Sequence, residues 1–199
     1  MKNVVTRIYS ATDYISIAEL KTHLRILSSD DDAYLANLLN GVFDHYSGLF
    51  GYDIRKSTAD YFFTSPSLSQ FHIPSRVLSL SSVKYRDSSG TLQTISASDY
   101  DSVLTISANY GYDVTLINDP SSLYEYGWRY KVTVVEGFAK PGDSVDVSKI
   151  FPDDLRHALY LYAEHLYTQR GSVVVGASAD VLPFNHEDLI FKYAIKEFV

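Results

Sequence analysis

Residues 151–171 constrain this chain more than any other stretch, because they read as a helix that is apolar on more than one side. The run opens Phe151-Pro152-Asp153-Asp154. Proline has no N–H to lose at a helix start, and the aspartates sit where the helix dipole favours negative charge. Arg170-Gly171 supplies the matching stop. Leu155, Ala158, Leu159, Tyr162 and Leu166 fall on one face, while Tyr160, Ala163 and Tyr167 form a second stripe. A surface helix needs one such stripe, so this one must be covered twice. The first stripe suits the subunit's own core; the second suits either a neighbouring copy or a further layer of the same domain.

Charge narrows the choice of partners. With 24 acidic and 17 basic residues the formal charge is −7, and no Lys/Arg cluster stands out. Proteins that hold DNA by neutralising phosphates need a basic stripe, which argues against tight nucleic-acid binding. An acidic surface instead suits DNA that must slide past without sticking. The chain has no cysteine, so disulfides and thiolate metal sites are excluded, and stability must come from packing and contacts between chains. No run of about 18 apolar residues could span a bilayer, and the start lacks a basic-apolar-small leader pattern. The expectation is a chain made in the cytoplasm, whole when mature, with no membrane segment. Seventeen tyrosines are unusual, but tyrosine serves both interfaces and sheets.

The periodicity changes along the sequence from 3.6 to 2 and back. Residues 1–14 are polar and aperiodic and read as an N-terminal arm. Residues 15–54 read as a helical hairpin. Ser16 and Glu19 form a capping box for a helix from about Ile17 to Ile26; Leu35, Leu38, Leu39, Val42, Phe43 and Tyr46 mark a second helix ending near Gly48 or Gly51. Residues 55–140 read as an inserted antiparallel β domain. Its alternating runs include Tyr61 and Phe63, Leu78 and Leu80, Val83 and Tyr85, Tyr112 to Leu116 and Tyr130 to Val134. A change of phase at Ser81-Ser82 predicts a bulge or a bend, and Asp87-Ser88-Ser89-Gly90 predicts a turn. Residues 141–170 hold the long helix. Residues 171–199 hold a small, apolar loop and a terminal helix from about Glu187. The fold class expected is α+β, with N- and C-terminal helices packed together around an inserted β domain.

Candidate chemistry is sparse. His157, Glu164 and His165 share a helix, but metal-binding histidines on a helix usually sit four apart, and eight is poor spacing. His186-Glu187-Asp188 fails the same test, with Asn185 better read as a helix cap. No nucleophile elbow, P-loop or dinucleotide fingerprint occurs, so no catalytic, cofactor or metal residues are assigned and no enzyme activity is expected. Tyr124, Tyr126, Trp128 and Tyr130 alternate, so in an extended segment their rings share a face. That row is either interior, covered by an adjacent subunit, or an exposed stacking platform for sugars or bases.

Several segments, in order, resemble the head-to-tail connector family of tailed bacteriophages, the adaptor or head-completion proteins. They are Ile15 to Ile26 with Asp31 to Leu35; Val83 to Asp87 with Gly90 and Ser96 to Tyr100; Trp128 with Lys131 to Val134 and Gly137-Phe138; and Pro152 to Leu155 with His165, Tyr167, Arg170 and Val173 to Gly176. The resemblance covers most of the chain from Ile15 onward. It implies a structural virion protein of the neck that binds the portal, forms a homo-oligomeric ring, often a dodecamer, and presents a surface to stopper or tail-completion proteins. DNA would pass through without specific binding. The resemblance further implies portal contact through the C-terminal region, which on this chain would use Val173, Val174, Val175, Leu189, Ile190, Tyr193 and Phe198. The second stripe, Tyr160, Ala163 and Tyr167, becomes the candidate subunit interface, since a cyclic ring needs two different patches per copy. The alternative function is an aromatic-rich carbohydrate- or surface-binding module of a phage particle.

Overall fold

The computed structural model describes residues 2–64, 70–105, 111–120, 123–145 and 150–169, together with Tyr193. It is α+β, with three helices and two antiparallel sheets among these residues. The chain divides into two compact units. One comprises Met1–Ile8, Arg55–Phe138 and Ile195–Val199, the other Tyr9–Ile54 and Ala139–Ala194. The main part of the β unit, Arg55–Phe138, is therefore an insertion between helices, and the unit also takes in Met1–Ile8 and Ile195–Val199.

The helical unit contains α1 (Ile17–Leu24), α2 (Asp32–Phe50) and α3 (Asp153–Thr168). The capping box forms as the sequence implies. The Ser16 hydroxyl and N–H donate to the Glu19 carboxylate at 2.7 and 2.8 Å, while the Glu19 N–H donates back to the hydroxyl at 3.2 Å. These bonds, the hydroxyl's first, lower the Glu19 pKa. The helix stops earlier than expected because Arg25 turns left-handed at φ 57°, a conformation that non-glycine residues seldom adopt. Gly51 ends α2 with φ 78°, where a side chain would be strained. Leu35, Leu39, Val42, Phe43 and Tyr46 bury the stripe of α2 against α3 and the segment around Tyr14. Phe43, Tyr14 and Phe151 form a ring cluster at centroid distances of 5.1–5.8 Å.

In the β unit, β1 (Lys2–Arg7), β2 (Ser57–Phe63), β8 (Tyr130–Glu136), β4 (Val77–Arg86) and β5 (Leu92–Thr94) form a five-stranded sheet in that spatial order. A three-stranded sheet runs β3 (Gln70–Ile73), β7 (Gly111–Leu116), β6 (Tyr100–Thr105). The inner faces meet in one core that includes Tyr61, Val83 and Val132 from the larger sheet with Phe71, Ile73 and Val114 from the smaller. Alternation along β8 is regular: Tyr130, Val132 and Val134 are buried and the residues between them are half-exposed. β4 changes register between Leu80 and Ser82, where the phase of the sequence breaks. The Asp87–Gly90 turn closes with the Gly90 N–H on the Asp87 carbonyl at 2.8 Å.

The opening segment departs from the expectation of a free arm. Lys2–Arg7 pairs with β2 as an edge strand, so its backbone groups are satisfied by a neighbour that polar side chains do not reveal. Of the expected terminal features, Gly171 and the helix from Glu187 lie outside the described residues.

Candidate functional site

Pro152 precedes α3 in an extended conformation at ψ 148°, and the helix starts at Asp153. Leu155, Ala158 and Leu159 are buried, as the first stripe requires. Tyr162 on the same stripe stacks on His45 at 4.8 Å and meets Tyr46 edge-on at 5.7 Å. The second stripe is also engaged inside the helical unit. Tyr160 stacks on His23 at 5.1 Å, and burial, then the charge of Glu19, raises its phenol pKa. Tyr167 donates its hydroxyl to Asp31 at 2.5 Å, with its ring 6.1 Å from Tyr34. Ala163 is 0% exposed, so of the three residues expected to meet a neighbour it has no surface to offer. Tyr160 and Tyr167 remain half-buried. Helical spacing shows that a stripe must be covered, not what covers it, and here α1 and α2 supply cover.

What remains exposed on α3 is a third strip: Asp153, His157, Leu161, Glu164, His165 and Thr168. Leu161 is 36% exposed with Glu164 one turn on, and the Asp153 side chain is 99% exposed. Glu164 faces His23 at 3.1 Å, and Arg156 reaches Glu19 at 3.8 Å. Among the described residues no group of three or more His, Asp or Glu is placed to hold a metal ion, and no helix is long and apolar enough to cross a membrane.

Of the residues expected at the portal, Val173, Val174, Val175, Leu189, Ile190 and Phe198 lie outside the described residues, as do Asn185, His186, Glu187 and Asp188. Tyr193 is described and is tied into the helical unit. Its hydroxyl donates to Asp154 at 2.6 Å, and its carbonyl accepts from the Tyr52 hydroxyl at 3.1 Å.

The alternating aromatic row does not share one face. Tyr130 is buried in the β core, where burial, then the charge of Asp119, pushes its pKa up to about 12. Tyr126 is 72% exposed. Gly127 adopts φ 71° between them and breaks the extended geometry that alternation presupposes. Tyr124 and Trp128 turn to a cation instead. The Arg86 guanidinium lies 4.5 Å from the Tyr124 ring centroid and 4.7 Å from that of Trp128. Trp128 also meets Phe62 edge-on at 4.8 Å. An open stacking platform is thus replaced by rings occupied with an arginine.

This face of the five-stranded sheet carries a feature that the sequence reading missed. Lys84 on β4 sits directly opposite Lys131 on β8. Lys131 pairs with Asp60 at 2.7 Å, and Thr133 donates to the same carboxylate at 2.7 Å. The Lys84 ammonium has no ion pair or hydrogen bond, and Arg86 no carboxylate, among the described residues. The available signal was Lys84 and Arg86 two apart on one strand, placing both cations on one face. A second surface feature lies at the α1–α2 connection. There an open groove of about 480 Å³ is lined by Ile17, Ala18, Lys21, Thr22, Arg25, Ile26, Leu27 and Asp32, with Leu27 99% exposed.

No family model and no curated protein matches the chain. Solved structures do. A chain in the neck of an empty GTA particle, computed with C6 symmetry, is 20% identical with a TM-score of 0.75. A chain in the virion of a native gene transfer agent (GTA) particle is 19% identical at 0.75, and one in the neck of the native particle, computed with C12 symmetry, is 19% identical at 0.71. Each match covers 100% of this chain and 97% of the other. At this identity the likeness establishes the fold: over its whole length the chain is folded like a chain from the neck of a gene transfer agent particle.

Proposed function

We propose that this protein is a structural component of the neck of a tailed, phage-like particle, working as the head-to-tail adaptor. Copies form a ring beneath the portal around the DNA channel and give stopper or tail-completion proteins a surface to dock on. The observation that carries this reading is the full-length likeness, at a TM-score of 0.75, to a chain in a gene transfer agent neck. The C12 and C6 symmetries of those necks support a cyclic assembly, which needs heterologous contacts between different patches of one subunit. The chemistry is passive. Partner choice and geometry do the work, and the net charge of −7 suits a wall past which DNA slides without being held. The portal contact remains assigned to the C-terminal region, with Val173, Val174, Val175, Leu189, Ile190 and Phe198 as its anchors and Tyr193 fixing the segment to the helical unit.

Native mass measurement of the purified protein, alone and mixed with its portal, tests this. The reading predicts a portal-bound species carrying a ring's worth of copies. Replacing Leu189 and Ile190 with aspartate should leave a folded subunit that no longer joins the portal. A protein that stays monomeric in both mixtures contradicts the adaptor role.

A further inference from the structure

The two units differ sharply in charge. Over its full sequence the helical unit carries fifteen acidic and seven basic residues, whereas the β unit carries nine acidic and ten basic. Within the β unit the surplus is local. On one face of β4, Lys84 stands opposite another lysine and Arg86 is sandwiched by Tyr124 and Trp128, neither cation having a carboxylate partner among the described residues. Leu92 lies directly across from Arg86 and is exposed, and Tyr126 stands free beside Tyr124 at 6.1 Å. Of the two opposed lysines, Lys131 is neutralised by Asp60 at 2.7 Å, which leaves Lys84 as the cation without a counter-charge among the described residues. The acids nearest in sequence do not neutralise it: the Asp87 carboxylate is held by Ser89, Thr91 and Gln93.

Among the described surfaces of the helical unit, one has the complementary character. The exposed strip of α3 carries Asp153, Leu161 and Glu164, with His157 and His165 one turn to either side of Leu161, and exposes no lysine or arginine. Of the unit's other exposed leucines, Leu27 stands beside Arg25 and Lys21, which would repel a cationic partner, and Leu49 on α2 has a histidine, His45, one turn before it rather than a carboxylate. We propose that the Lys84–Arg86 sheet face of one copy docks on the exposed α3 strip of the next. Lys84 and Arg86 meet Asp153 and Glu164, and Leu161 covers the Trp128–Leu92 surface. This contact joins two different patches, as ring closure requires, and it rests on the ring reading above. Its charge pairs contribute register and association rate more than affinity.

Equal amounts of ordinary and heavy-isotope-labelled protein, assembled alone or on portal, would be treated with a carbodiimide, which joins an ammonium to a carboxylate only in direct contact. The expected product is a mixed light–heavy peptide linking Lys84 to Asp153 or Glu164. In parallel, Lys84→Glu with Arg86→Glu should raise the concentration for half-assembly by about tenfold or more. Adding Asp153→Lys and Glu164→Lys to the same chain should restore it. The crosslinking arm uses unaltered protein, so it holds even if a variant folds poorly. Rings that form normally with the reversed sheet face, or crosslinks that map elsewhere, overturn this contact and leave the ring intact. Absence of any assembly defeats the ring and the contact together. Binding of a short DNA duplex that is lost with Lys84→Glu and Arg86→Glu would assign the face to nucleic acid and overturn the proposal.

Discussion

The helical unit and the β unit reach stable cores by different means. In the helical unit, local signals place each element, and the elements then meet through side chains that are polar at their tips. Tyr167 reaches Asp31, Tyr193 reaches Asp154, and Tyr160 and Tyr162 stack on histidines. In the β unit, pairing between distant strands sets everything, from β1 on β2 to β4 on β8. Two of its buried hydroxyls converge on Glu136, which accepts from Ser75 at 2.5 Å and from Tyr61 at 2.9 Å. Burial, then the Glu136 charge, holds the Tyr61 phenol far above its ordinary pKa. The contrast shows that the helical unit can lose one contact at a time, whereas the β unit depends on a shared centre.

The largest effect is expected in the apolar core between the two sheets. Phe71 is buried between Phe63 and Tyr130, each at 5.0 Å. Phe71→Ala should cost about 3–5 kcal/mol in chemical denaturation. A cost under 1 kcal/mol would show that the two sheets do not share one core. In the helical unit, Tyr167→Phe removes a single hydroxyl bond to a carboxylate and should cost about 1.5 kcal/mol, with α3 remaining helical. An unchanged stability would return Tyr167 to the surface and to a neighbouring copy.

These elements were not equally legible. The start of α1 and the end of α2 follow from Ser16, Glu19 and Gly51, because capping is local chemistry, whereas the stop of α1 at left-handed Arg25 carried no such signal. The bulge in β4 followed from a phase break at Ser81-Ser82. β1 was hidden because two adjacent valines, Val4 and Val5, among polar residues give no alternation, and its partner lies fifty or more residues away. β3 was missed because four residues give too little alternation to count. The stripes of α3 were visible, but Ala163 was assigned to a neighbour when α1 and α2 already enclose it. The arginine between Tyr124 and Trp128 joins residues from separate segments, which no spacing rule brings together.

The smallest effect sharpens the local side of the comparison. Ser16→Ala removes both bonds of the Ser16 hydroxyl to Glu19 and should cost about 1 kcal/mol. The same box has a pH signature. The folded Glu19 pKa lies below its ordinary 4.5, so its contribution is fully present above that value and is lost as pH falls through the lowered one. Acid titration followed by amide exchange in α1 should show the first turn loosening below about pH 4.5 in the native protein and a smaller step in Ser16→Ala, which keeps only the backbone N–H bond to the carboxylate. An identical titration in both would remove the box from the stability of α1.

The central claim is a place in a particle. Electron cryo-microscopy of the assembled particle, with this chain's fold fitted into the neck, tests it most directly. The account predicts a closed ring of copies between portal and tail, encircling the DNA path. Density for the chain on the capsid surface or at the tail tip, with the neck occupied by another protein, would contradict it.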